Sequence, residues 1–152
     1  MVDIVDKATR SRMMAGIRGR DTKPEMLLRK ALHRRGFRFR LHARDAPGRP
    51  DLLLPRYRAA IFVHGCFWHR HIGCRYATTP ATNPEFWQRK FDSNVERDQR
   101  DLKALEAAGW RVAIAWECGF KSIGRDAMAD ILAGWLTSDC AFLEVPEALH
   151  EP

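Results

Sequence analysis

No apolar run in this chain approaches the ~20 residues that a membrane-spanning helix needs. Its opening, MVDIVDKATRSRMM, carries charge where a secretory signal has an apolar centre. A soluble, cytoplasmic protein without a membrane partner is expected. Lysine is scarce, supplying six of the 26 cationic residues; the rest are arginine. Guanidinium forks suit phosphate, although a GC-rich genome produces the same bias. Acidic residues are in deficit, 19 against those 26, leaving a net charge of +7. That charge either serves a polyanionic partner through counterion release or only solubilises the surface. Cysteine is limited to Cys66, Cys74, Cys118 and Cys140. A cytoplasmic setting and a histidine between the first two favour metal over disulfides. Repeats, low-complexity tracts and linkers are also missing. What remains, 152 residues with 45% hydrophobic and 10% aromatic content, excludes wholesale disorder and fits one packed domain.

Residues 1–21 read as a basic arm, with Lys7, Arg10, Arg12, Arg18 and Arg20 around Met13, Met14 and Ile17. A domain over 22–138 and a loose tail over 139–152 follow. Thr22 with Glu25 three residues on is a capping-box pattern. Leu28, Ala31 and Leu32 give the helix its apolar stripe and Gly36 stops it. Phe37, Phe39 and Leu41 alternate with Arg38, Arg40 and His42, as in a half-buried strand. APGRPD is a turn; Asp51 opens the apolar run LLL, and AAIFV over 59–63 suits a strand buried on both faces. Residues 64–83 read as a loop. Pro84 starts a long helix to about Ala108, with a stripe of Trp87, Phe91, Val95, Leu102 and Leu105. WRVAIAWE is another strand, and a last helix spans about 125–136. This order predicts an α/β fold with helices covering a mixed sheet.

Cys66, His71 and Cys74 form C-x4-H-x2-C, a donor set for tetrahedral zinc. Cys118, directly after the strand ending in Trp116, is the best fourth ligand and Cys140 the poorer one. Four protein ligands make such a site structural. A second constellation is catalytic in type. Asp51 begins one strand, His64 ends the next, and His69 lies five residues on; a hairpin brings the first two together. A carboxylate there can hold Mg²⁺ against a phosphate, and a histidine can take a proton from water. Glu25 adds a second carboxylate. Each piece also has a plain explanation: Asp51 as a turn residue, Glu25 as a cap, His64 as a loop histidine, His69 as a zinc ligand in place of His71. Phe67, Trp68 and Trp87 either fill a hole or wedge between base pairs. Met13 or Met14 in the arm can do the same from the opposite groove. Lys90 and Asn94 share a helix face and can bond to base edges, though a solvated face is the commoner fate.

The runs DKATRSRMM, GRPD at 48–51, FVHGCFWHRH at 62–71, NVERDQRDL at 94–102 and GWRVAIAWEC at 109–118 resemble the very-short-patch-repair endonucleases of bacteria. The resemblance spans about residues 3–136. It implies a restriction-endonuclease-like fold carrying a structural zinc. It also implies a Mg²⁺-dependent nick on the 5′ side of the thymine in a T:G mismatch left by deaminated 5-methylcytosine. The partner is then mismatched double-stranded DNA, bound by a monomer, with mismatch-repair proteins and a DNA polymerase downstream. By position, the resemblance makes Asp51 and the Val63 carbonyl the Mg²⁺ ligands. His69 polarises water, and His64 and Glu25 support the cluster. Cys66, His71, Cys74 and Cys118 match the zinc ligands. Phe67, Trp68 and Trp87 match the wedge, Met14 the arm residue in the minor groove, and Lys90 and Asn94 the helix facing the mismatch. Two departures stand out. Val63 replaces the threonine of the best-known member, which is harmless if only the carbonyl ligates. The zinc loop also has one more residue between His71 and Cys74. The competing readings are a restriction-like or junction nuclease, and a DNA-binding module without catalysis.

Overall fold

The computed structural model describes residues 22–147. The basic arm, with Met13 and Met14, and the last five residues lie outside them.

Helix α1, Lys23–Arg34, buries Leu28, Ala31 and Leu32 along one stripe. The expected capping box is not made: the Thr22 side chain makes no cap hydrogen bond, and Glu25 is 1% exposed. The carboxylate turns inward because it finds a guanidinium, Arg29, one turn on. A charged partner in a dry place outweighs a solvent-exposed backbone amide. Gly36, at φ +93°, then reverses the chain.

Five strands follow, in the spatial order β1-β2-β3-β4-β5. They are β1 Arg40–Leu41, β2 Leu52–Leu54, β3 Ala59–His64, β4 Arg111–Trp116 and β5 Phe142–Val145. The β1–β2 and β2–β3 pairs are antiparallel, and β3–β4 and β4–β5 are parallel, so the sheet is mixed as expected. The hairpin between β2 and β3 turns through a 3-10 segment, Pro55–Tyr57, and Arg58 at φ +51°. The first strand is shorter than its sequence pattern. Phe37 is buried, yet only Arg40 and Leu41 pair with β2.

Alternation divides the core. Leu52, Leu54, Ala59, Ile61, Ala113 and Ala115 face α1 and α5 (Arg125–Leu136), meeting Leu28, Leu32, Met128 and Leu132. Leu53, Ala60 and Val112 face Leu105 of α3, Pro84–Ala107. Both faces are therefore covered, which is why AAIFV shows no polar alternation. Two short helices lie beyond the strand ends: α2, Cys66–His69, within the expected loop, and α4, Glu117–Ser122. The tail is not loose throughout. Arg111 donates to the carbonyls of Trp135, Leu136 and Cys140. These bonds hold the end of α5, from which Phe142–Val145 pairs beside β4.

The turn before Asp51 leaves little freedom. Gly48 has φ +76°, and a Cβ there would stand 2.7 Å from the Asp101 Cβ. Gly48→Ala is expected to destabilise the fold by about 2–4 kcal/mol, combining the positive φ with an overpacked contact. Urea unfolding of the two proteins side by side checks this.

Candidate functional site

The parallel register sets His64 opposite Trp116. Each chain then turns into a short helix, so Cys66 and Cys118, two residues beyond, converge. With His71 and Cys74 they form a group whose donor atoms all lie within 4.8 Å of one another. The His71 Nδ1 is 3.8 Å from Cys66 Sγ and 3.4 Å from Cys118 Sγ. Such spacings fit four donors around one ion at bonds of about 2.0–2.3 Å. The His71 ring stacks on Trp116 at 4.3 Å, which sets its orientation. Burial, aided by neighbouring Cys118, pushes the Cys66 thiol up, and burial raises Cys118 too. Without a cation these thiols keep their protons; a bound metal displaces them. Cys140 is exposed and is not part of this group, whose fourth member is Cys118. His69 belongs to another cluster and leaves His71 as the imidazole donor.

The hairpin brings Asp51 to β3. Its Oδ2 accepts the Val63 N–H at 2.7 Å. In an extended strand the N–H and C=O of one residue point to the same edge, so the Val63 carbonyl faces that edge too. Glu25 and His42 complete a second potential metal-holding group with Asp51. His42 Nε2 is 3.2 Å from Glu25 Oε2, and Nδ1 is 3.8 Å from Asp51 Oδ1. Arg29 pairs with Glu25 and approaches His42 Nε2 at 3.0 Å. The Asp51 carboxyl is pushed up to about 8, chiefly by burial and then by the charge of Glu25; the Val63 N–H and Arg29 act the other way.

Beside it lies a third group, His64, His69 and Asp98. The two rings stack at 3.8 Å with an interplanar angle of 5°. Burial, followed by the neighbouring His69 and Arg97, lowers His64 well below the usual histidine range, so it is neutral. Its Nδ1 is buried without a hydrogen-bond partner among the described residues. His69 Nδ1 meets Asp98 Oδ2 at 2.6 Å. An ionised carboxylate only accepts, so Nδ1 carries the proton and the neutral ring keeps its lone pair on Nε2.

Phe67, Trp68, Trp87 and Phe91 form one aromatic group with ring centroids 5.0–5.9 Å apart. Trp87 is buried and Phe67 and Trp68 are half-buried. Lys90 is exposed, whereas Asn94 is buried and donates to the Trp68 carbonyl at 3.1 Å. Asn94 takes the inward place expected of Val95, which is 36% exposed. Its amide satisfies a loop carbonyl that an apolar residue could not.

Sequence reasoning missed His42, Asp98 and Arg70. The first closes an alternating run, and the second lies in a helix of many charges, so neither carried a separate signal. Arg70 donates to the carbonyls of Phe67, Ala77 and Thr78 and to Thr79 Oγ1. It also lies 3.9 Å over the Phe91 ring, tying the loop to α3. Met14 lies outside the described residues.

The family model "DNA mismatch endonuclease Vsr" matches residues 2–75. The DNA mismatch endonuclease Vsr of Escherichia coli (strain K12) is 43% identical over 148 residues, covering 95% of this chain and 94% of the relative. A type II nicking enzyme of Xanthomonas oryzae pv. oryzae is 44% identical, covering 82% of this chain and 90% of its own. Another, from Neisseria meningitidis serogroup A, is 40% identical over 80% and 86% respectively.

A carboxyl raised to about 8 must release its proton before it can ligate a cation. Divalent-cation affinity is therefore expected to climb with pH, by up to about tenfold per unit, and to level off above about 8. In Asp51→Asn that dependence should flatten. Calorimetric Mg²⁺ titrations across pH 6–9 read the slope.

Proposed function

The chain belongs to the family of Vsr DNA mismatch endonucleases, and on that premise we propose that it nicks the strand 5′ of the thymine in a T:G mismatch. The family's fold is restriction-endonuclease-like, and the mixed sheet with flanking helices agrees with it. One observation carries the finer reading. The continuous segment from Val63 to His69 holds the strand edge facing Asp51, the stacked histidines, one donor of the Cys/His group and two wedge aromatics.

In this reading Asp51 and the Val63 carbonyl hold Mg²⁺, and Glu25 supports them. The ion, when bound, supplies Lewis acidity at the scissile phosphate and makes water more acidic. His69 offers Nε2 to accept a water proton, and Asp98 fixes that tautomer and stabilises the imidazolium that results. His64, neutral and stacked against it, shields the ring and adds no opposing charge. Zinc is the metal that suits the donors of Cys66, His71, Cys74 and Cys118. It holds the loop stiff, so that Phe67 and Trp68, backed by Trp87, spend insertion energy on DNA and not on bending protein. A T:G wobble stacks less well than a matched pair, which makes prying it open easier. Lys90 faces the DNA directly. Asn94 acts by holding the Trp68 carbonyl. Residues 1–21 bring Met14 from the minor groove. An asymmetric mismatch needs no two-fold partner, so a monomer suffices, with mismatch-repair proteins and a polymerase acting on the nick.

Strand-specific cleavage of T:G, matched and branched oligonucleotides with Mg²⁺ tests this. Only the T:G duplex should be nicked, and Asp51→Asn should reduce nicking to background while still binding T:G DNA. Equal cutting of branched or matched DNA would select a junction or restriction nuclease instead.

Trp68→Ala is expected to weaken T:G binding by ~1–3 kcal/mol, about 5- to 150-fold, with little change for matched duplex. Folded Cys118→Ala should lose mismatch preference more than it loses Mg²⁺ binding. Fluorescence anisotropy on both duplexes, paired with cation titration, separates the two effects.

A further inference from the structure

The outer face of α1 carries charge that the fold does not use. Lys30, His33 and Arg34 are exposed, and with Met26, Arg29 and Phe39 they line an open groove of about 500 Å³. No carboxylate is among these lining residues. Arg29 is paired with Glu25, and Arg35, further round the helix, reaches Asp126 and Asp130 of α5. Lys30 and Arg34 make no ion pair among the described residues. They stand four apart on one helix face, where like charges repel. Alone, that placement costs the helix stability; a polyanion laid across it reverses the sign. The facing wall is apolar and firm. Phe39 packs against the core and meets the His33 ring edge to face at 6.5 Å.

Cations beside small apolar surfaces suit a sugar–phosphate strand, whose phosphates attract guanidinium and ammonium groups and whose sugars offer carbon. The groove is far larger than one inorganic anion. The arm over residues 1–21 is itself basic and the whole chain carries +7, so neither the arm nor a second copy complements this face. The groove also adjoins the Asp51 group, because Arg29 lines the one and pairs with Glu25 of the other. From Glu25 to Arg34 the helix rises about 13 Å. Lys30 and Arg34 therefore fall a few phosphates away from Asp51, not on the phosphate beside it.

We propose that the groove between α1 and Phe39 seats the backbone of one DNA strand as it leaves the Asp51 group. Lys30 and Arg34 hold its phosphates, and Met26 and Phe39 lie against its sugars. Contacts of this kind fix the register of the duplex and carry no sequence information. They add grip on any duplex, whereas the aromatic loop discriminates between duplexes. The place of the contact beside the cut rests on the reading of Asp51 as the cutting site; the contact itself does not.

The test measures binding of the full, zinc-loaded chain to T:G and matched duplexes at about 50–200 mM salt. Lys30→Gln/Arg34→Gln should make the fall of log affinity with log salt shallower by about 1.8. It should weaken both duplexes by the same factor, at least about fivefold at the low-salt end. Lys103→Gln, on α3 across the sheet, should keep the parent slope. Parental binding by the double variant overturns the proposal and leaves the groove to an acidic protein. Lost affinity at unchanged slope overturns it too, as does an equal change per charge removed in Lys103→Gln. Neutral methylphosphonates placed singly along each strand then locate the contact. Within about four phosphates of the nick they should weaken the parent but not the double variant; such a position elsewhere, or none at all, overturns the proposal. Nicking at the parental rate by Asp51→Asn is the separate result that removes the Asp51 reading and leaves the salt slopes as they are.

Discussion

Parallel pairing of β3 with β4 is the constraint on which the rest of the molecule depends. Because His64 lies opposite Trp116, the two strands end at the same level. Antiparallel pairing would send those ends to opposite sides of the sheet. Parallel pairing makes neighbours of Cys66 and Cys118, which are 52 residues apart in the sequence. The connection between the strands must be long to allow it, and that length is used: it supplies α2, the Cys/His loop and α3. The core on either side of the sheet serves the same end. Leu52, Leu54 and Ile61 on one face and Leu53 and Ala60 on the other hold the hairpin that carries Asp51 to β3.

The charged groups form two adjoining arrangements with different logic. Around Asp51, a buried and a part-buried carboxylate flank one imidazole, and a guanidinium pairs with Glu25, so protons and cations compete for the same oxygens. Around His69, one carboxylate faces one imidazole at 2.6 Å, and the adjacent ring is kept uncharged by burial. The first arrangement suits an ion and the second a proton. The Cys/His group takes Cys66 from the short helix that also carries His69, and its His71 ring stacks on Trp116.

Much of the fold was legible because its signals are periodic or punctuated. The stripe of α1, the apolar β3 and the long α3 with Trp87 and Phe91 all follow from spacing. The Cys66, His71 and Cys74 group was legible from spacing as well, and Cys118 from its place after β4. What escaped depends on tertiary choice. Glu25 sits in a capping pattern, but the part-buried guanidinium of Arg29 competes successfully for it. Val95 fits the stripe of α3, but the loop's unpaired carbonyl selects Asn94. Residues 142–145 are too short a run to announce a strand until β4 stands beside them. His42 and Asp98 became meaningful only through residues distant in the chain.

The segment from Val63 to His69 is also a caliper. Its first residue faces the Asp51 carboxylate, and its fourth belongs to the Cys/His group. Its fifth and sixth carry the rings that would part the base pairs. Only Gly65 separates β3 from α2. In the proposed reaction, the offset between the distorted base pair and the broken bond is then a covalent length. Substitutions elsewhere would change how often the enzyme cuts without moving the address of the cut.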